Sequence, residues 1–241
     1  MVRPVRCGRR ICGQALVAAL TLMIAAPAVH ASPTILLLHG GGWQTNDNSE
    51  MSGWSSDFQA YGYRTVFVEY PLGSVTRSID YTATVARRER LRGEPVIAYG
   101  ISAGGTIASA LAAEGIVDGA VNIVGPTDFT RWDSAAGAVI MLAAKMSSAE
   151  KRSASPFWRL GPNAAPQLLQ CGKLDVVTPW SQCTRFVARA AGFNPDTTLQ
   201  GMLNAHDQWP GDRDRARAWV QARWPAVSTS VRRLSRHLHR P

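Results

Sequence analysis

The chain has 241 residues, of which 46% are hydrophobic and 18% charged. That balance is globular and excludes a disordered tail protein or a low-complexity linker. Four cysteines in this length also exclude a disulfide-stapled miniprotein.

The formal net charge of +9 points towards nucleic acid or an anionic membrane, but its distribution does not. Residues 1–31 carry Arg3, Arg6, Arg9 and Arg10, residues 228–241 carry Arg232, Arg233, Arg236 and Arg240, and neither end holds an acid. The body, residues 32–227, has a net charge of only +1. No basic stripe runs through it, so no nucleic-acid partner is expected.

Residues 1–31 read as a secretory signal peptide. The arginines precede an apolar stretch from Ala15 to Ala26, and small residues follow at Ala28 and Ala31. Cleavage is predicted after Ala31, with Val29 and Ala31 in the two recognised positions. The stretch is short for a bilayer span, which takes ~20 residues. The mature chain is therefore expected outside the cytoplasm, secreted or periplasmic, without stable membrane insertion. An uncleaved anchor or a buried N-terminal helix is the alternative. Residues 228–241 are read as a basic, solvated tail.

From Thr34 onward, short apolar runs alternate with helical stretches. Strands are predicted at Thr34–Leu38, Thr65–Val68, Pro95–Tyr99, Gly119–Val124, Pro166–Cys171 and Thr197–Leu203. Helices are predicted at Ile79–Leu91, Ala103–Ala113, Pro179–Ala190 and roughly Asp212–Trp224. The pattern implies an α/β fold: a mostly parallel sheet of about six strands with helices on both faces. Residues 129–165 interrupt the rhythm with a small apolar helix and a polar, proline-containing passage. We read them as a small cap over the carboxyl ends of the strands, where open α/β sheets bind ligands. Ala135–Ala144 is too short to span a membrane and is expected to be a packed helix.

Gly100-Ile101-Ser102-Ala103-Gly104-Gly105 lies between a predicted strand and a predicted helix. This G-x-S-x-G in that setting is what a nucleophile elbow requires. The glycines remove side chains that would collide at a sharp turn, and Ser102 sits above a helix N-terminus that favours developing negative charge. A serine hydroxyl needs a base. Of five histidines, His30 lies in the signal, His237 and His239 in the tail, and His39 in a glycine loop. His206, after the last strand, remains. Asp175, just past the strand Pro166–Cys171, is the acid expected to orient it, with Asp128 as competitor; Asp207 adjoins the histidine and is expected to point elsewhere. Ser102, Asp175 and His206 occur in the chain order of that arrangement. His39-Gly40-Gly41-Gly42-Trp43 follows the first strand. The amides of Gly41, Gly42 and Ala103 are expected to converge on a carbonyl oxygen beside Ser102 as an oxyanion hole.

With these motifs in order, the chain resembles α/β-hydrolases of the esterase and lipase type. It is most similar to the small esterases with an HGGGW loop, which include carboxylesterases, acetyl- and feruloyl-type esterases and arylformamidases. Tyr70-Pro71 and Ser155-Pro156 resemble further segments of that family. The family usually has extra strands before the HGGG strand, whereas cleavage here would leave only Ser32 and Pro33, so a reduced sheet is expected. Ile101 stands where some relatives carry an acid, which leans away from the hormone-sensitive-lipase branch.

The resemblance implies two-step acyl transfer on a small-molecule ester; an arylformamidase, other amidase or peptidase on the same triad is the alternative, and a non-catalytic binding protein of the same fold is a further one. No metal or cofactor is expected. Cys171 and Cys183 flank the Asp175 loop, either as a disulfide or as two buried thiols. The pattern leaves acyl preference and oligomeric state open.

Overall fold

Six of the apolar runs become parallel strands in the computed structural model, which describes residues 32–46 and 48–226. The strands are β1 (Thr34–Leu38), β2 (Arg64–Phe67), β3 (Val96–Ile101), β4 (Gly119–Ile123), β5 (Gln167–Gly172) and β6 (Thr198–Met202). All neighbours pair in parallel, in the order β2-β1-β3-β4-β5-β6. The predicted signal peptide, residues 1–31, and the basic tail, residues 228–241, lie outside the described residues.

The four inner strands are buried along their whole length, while the edge strands β2 and β6 are mostly half-buried or exposed. That is the burial expected when helices cover both faces of a parallel sheet, and it is why the inner strands read as continuous apolar runs. Side chains alternate between the faces. Leu36, Leu38 and Ala98 pack on one side with α2 (Val75–Arg90) and α3 (Ala103–Ala113). Ile35, Leu37, Ile97 and Tyr99 pack on the other with α1 (Ser49–Ala60) and α8 (Pro210–Arg223). Each fully buried aliphatic side chain contributes about 1.5–3 kcal/mol of transfer free energy.

Helix α3 is buried at all eleven positions. Its sequence AGGTIASALAA consists of small residues with few exceptions, which lets it lie close against β3 and β4. Helix α1 was not predicted. It buries Met51, Trp54 and Phe58 against the sheet.

Between β4 and β5 no strand forms among residues 129–165. A single 3-10 turn (Phe129–Arg131) is followed by α4 (Ala135–Ala143), α5 (Ser148–Ala154) and α6 (Pro156–Arg159). Ser155 ties this region together: its hydroxyl accepts from the Phe129 N–H at 2.8 Å and donates to the Lys151 carbonyl. Helix α4 departs from the expected packed helix. Within it only Gly137 is buried, and Val139 and Leu142 are 66% and 80% exposed. Its composition is apolar on every side, but it touches the body along one narrow edge. Helix α7 (Trp180–Ala190) follows β5, and Cys171 and Cys183 are joined by a disulfide that links β5 to α7. Among the described residues no helix is long and apolar enough to cross a membrane.

The strand order reverses at β1 and β3: the chain runs outward from β1 to β2, then returns past β1 to place β3 on its other side. The crevice at the carboxyl ends of these two strands is the switch point where open α/β sheets bind ligands. His39–Trp43 emerges from β1 there, and Ser102 from β3.

Candidate active site

Ser102 lies between the last residue of β3 and the first of α3, with φ 52° and ψ −115°. A side chain at positive φ costs on the order of 1–3 kcal/mol and persists only where its surroundings hold it. Here the Ser102 N–H donates to the Ile123 carbonyl at 2.8 Å, and its carbonyl accepts from the Thr106 N–H at 3.0 Å. The glycines around it are sterically required. A Cβ on Gly100 would collide with the backbone of Gly104, and one on Gly104 with the carbonyl oxygens of Leu38 and His39. The turn is tight because strand, helix and the preceding loop meet there without side chains between them.

His206 reaches Ser102 from the loop after β6: its Nε2 lies 2.9 Å from the serine Oγ. On the other side of the ring, Nδ1 lies 2.8 Å from Asp175 Oδ2. A carboxylate only accepts, so in neutral His206 the proton sits on Nδ1 and Nε2 accepts from the Ser102 hydroxyl. The second oxygen of Asp175 accepts from the N–H groups of Val177 and Thr178, both at 2.8 Å. Its side chain is fully buried while the His206 side chain is 24% exposed. The carboxylate is thus fixed by three donors, and the imidazole stays open to the crevice.

The competing acid is otherwise engaged. Asp128 pairs with Arg185 at 2.8 Å and accepts from the N–H of Thr130. Asp207 accepts from the N–H of the next residue, Gln208, at 2.6 Å. Of the predicted residues, the structure therefore brings together Ser102, His206 and Asp175.

The glycine loop lies beside them. A Cβ on Gly40 would sit 3.5 Å from the Ser102 Cβ. Gly41, Gly42 and Trp43 all take positive φ, at 98°, 57° and 61°. Such a run turns the backbone so that its N–H groups face one side. Among the described residues, the N–H groups of Gly41, Gly42 and Ala103 donate to no other group. That of Ala103 opens α3 and has no acceptor within the helix.

His39 has a structural part. It is fully buried, its ring stacks on Tyr70 with centroids 4.2 Å apart, and its Nδ1–H donates to the Gly40 carbonyl at 2.6 Å. Burial pushes the Tyr70 hydroxyl well above its usual range, so it keeps its proton and donates to the His39 carbonyl at 2.8 Å. Trp43 and Trp132 are core residues, 1% and 4% exposed.

Two supports had no sequence signal. Val177 links the Asp175 loop to the 129–165 segment, since its carbonyl accepts from both the Trp132 indole and the Ser134 hydroxyl at 2.7 Å. Beneath the histidine loop, Gln208 donates to Gln170 Oε1 at 2.6 Å and to the Tyr99 hydroxyl at 2.9 Å. Gln170 in turn donates to the Asp212 carbonyl. This buried ladder ties the loop to the middle strands β3 and β5. The nearest readable hint was polar residues inside otherwise apolar strands. From the 129–165 segment, Ile140 of α4 faces the glycine loop, 3.6 Å from where a Gly42 Cβ would be. Among the described residues no group of three metal-ligating side chains occurs.

The arrangement can move a proton from a hydroxyl to an imidazole whose other nitrogen is held by a carboxylate, next to backbone N–H groups without acceptors.

Comparison with known proteins agrees with the fold. The chain resembles esterase 2 of Thermogutta terrifontis in its apo form, with a TM-score of 0.66 and 16% identity over 80% of this chain and 82% of that one. The propionate-bound form of the same enzyme matches with a TM-score of 0.65 and 16% identity over 83% and 84%. Carboxyl esterase 2 of the mycorrhizal fungus Tuber melanosporum matches with a TM-score of 0.63 and 19% identity over 77% and 74%. No curated protein sequence matches it. The model of the alpha/beta hydrolase family matches residues 35–239, and the chain belongs to that family.

Proposed function

We propose that the protein is a secreted serine hydrolase of the HGGGW esterase type, acting on small carboxylic esters. The observation that carries this is the continuous hydrogen-bonded line from Ser102 through His206 to Asp175, set beside the glycine loop. The esterase folds it resembles support the same class.

Ser102 Oγ attacks the ester carbonyl carbon as His206 Nε2 takes the hydroxyl proton. The carbonyl π bond opens, and the resulting oxyanion accepts from the N–H groups of Gly41, Gly42 and Ala103. Asp175 stabilises the imidazolium without itself taking the proton. As the tetrahedral intermediate collapses, the C–O bond to the alcohol breaks and His206 protonates the leaving oxygen. Water then attacks the acyl-serine with His206 as base, and the acid leaves with Ser102 restored. This sequence requires no metal or cofactor. Residues 129–165 act as the cap, and Ile140 stands where the acyl or alcohol group approaches the oxyanion site.

The test is turnover of p-nitrophenyl acetate, butyrate and octanoate beside formyl-arylamine substrates. Ester turnover by the wild type, lost in Ser102→Ala, is expected. A folded protein that cleaves none of the esters overturns the proposal, and amide turnover alone moves the substrate class to amides. Export is tested by N-terminal sequencing of the exported protein, which should begin at Ser32.

A further inference from the structure

A cavity of about 360 Å³ lies outside the site, lined by Arg131, Phe157, Trp158, Arg185, Ala188 and Arg189. None of Ser102, His206, Asp175 or the glycine loop contributes to it. Its volume falls in the range of small-molecule sites.

The cavity is assembled from three elements. The 3-10 turn brings Arg131, α6 brings Phe157 and Trp158, and α7 brings Arg185, Ala188 and Arg189. Arg185 and Arg189 are four residues apart on α7 and so share a face. Both guanidinium groups lie over the Phe157 ring, at 5.2 and 4.9 Å from its centroid, and that of Arg189 also lies 5.3 Å from the Trp158 centroid. A guanidinium held by its face on an aromatic ring keeps its N–H edge available for a planar acceptor.

The charges do not balance. Three guanidinium groups meet one carboxylate, that of Asp128, which pairs with Arg185 at 2.8 Å. Arg189 uses only its Nε, which donates to the Phe157 carbonyl at 2.8 Å and so fixes the orientation of the fork. The Arg131 side chain makes no hydrogen bond or ion pair among the described residues, although its backbone is clamped: its N–H donates to the Asp128 carbonyl, and its carbonyl accepts from Gln182 at 2.6 Å. Two cationic groups with unused donors thus border apolar and aromatic walls, the Arg189 fork oriented by its Nε bond and Arg131 anchored at its backbone.

We propose that this cavity is a second ligand site, built for an aromatic carboxylate. Arg131 and the terminal nitrogens of Arg189 take the carboxylate, for which the guanidinium fork is matched. The ligand ring lies along the exposed Ala188 and the edge of the Trp158 indole, one face of which the Arg152 guanidinium covers at 3.8 Å. A neutral ring lacks the charge the arginines leave unmatched, and a small anion without a ring leaves the apolar walls wet.

The test is calorimetric titration of the full chain with benzoate, with benzamide as the neutral control. Ser102 is first blocked with a fluorophosphonate, so that binding at the reaction site does not contribute. Benzoate is expected to bind with a Kd of about 1 mM or tighter. Arg131→Gln should weaken it at least about ten-fold, and Ala188→Trp, which fills the cavity and keeps every charge, should do the same. Benzamide should bind at least about ten-fold more weakly than benzoate. In unblocked protein, Arg131→Gln should leave any ester turnover unchanged. The proposal is overturned by absent benzoate binding, by equal affinity in wild type and both variants, or by benzamide binding as tightly as benzoate.

Discussion

His206 Nδ1 meets Asp175 Oδ2 at 2.8 Å, and Asp128, the other acid at this edge of the sheet, is held at the same distance by Arg185. The two carboxylates therefore have separate tasks. Asp175→Asn should lower kcat roughly 10³–10⁴-fold with the fold intact, because an amide no longer fixes the histidine tautomer. Asp128→Asn should cost about 2 kcal/mol of stability, since it leaves the half-buried Arg185 without its partner, and should change kcat far less. Steady-state kinetics beside urea denaturation of both variants distinguishes these roles. A larger kcat loss in Asp128→Asn would exchange them.

The Gln208 ladder sets where the histidine loop sits. Gln208→Leu removes three hydrogen bonds and strands the buried acceptor of Gln170 and the buried hydroxyl of Tyr99. Each lost partner costs about 1–3 kcal/mol. Because misplacing a reacting group by about 1 Å can cost 10²-fold, kcat should fall about 10–100-fold while KM stays nearly constant. A variant that is less stable but has unchanged kcat would show that the ladder serves stability alone.

The elbow depends on absent side chains. Gly104→Ala drives a methyl group into the carbonyls of Leu38 and His39, where backbone has to move. Overpacking of this kind costs about 1–3 kcal/mol. A lower melting temperature and reduced activity are expected. Gly211→Ala, in open space at the start of α8, is the matched control and should leave both unchanged.

The disulfide closes a short segment, with its cysteines 12 residues apart. That segment contains the Asp175 loop. Loop-closure entropy gives a stabilisation of about 2–4 kcal/mol. Chemical denaturation with and without reductant measures it, and Cys183→Ser should reproduce the reduced protein. Equal midpoints in both conditions would show that the bridge does not form.

Most of the frame was legible in the sequence. The strand Thr34–Leu38 and the helix Ala103–Ala113 coincide with their predicted bounds, and the other strands differ by one or two residues at their ends. Parallel strands buried on both faces leave a plain apolar signature, and Gly100 and Gly104 mark the elbow because no other residue fits. Helix α1 leaves a weak pattern because Ser52, Gly53, Ser55 and Ser56 dilute it, although Met51, Trp54 and Phe58 stand at helical spacing. The exposure of α4 was unreadable because apolar composition normally marks burial. The separation of Asp175 from Asp128, the Gln208 ladder and the Arg131 cavity all depend on which side chains the strand order brings together.

On this mechanism Ser102 is a nucleophile activated by His206. The most direct measurement of that activation is the intact mass and peptide map of the folded protein after reaction with a fluorophosphonate. One phosphonyl group per chain is expected on the peptide containing Ser102, none in Ser102→Ala, with labelling slowed at least about 100-fold in His206→Ala. A folded wild-type protein that takes no label, or takes it at another residue, would contradict the mechanism.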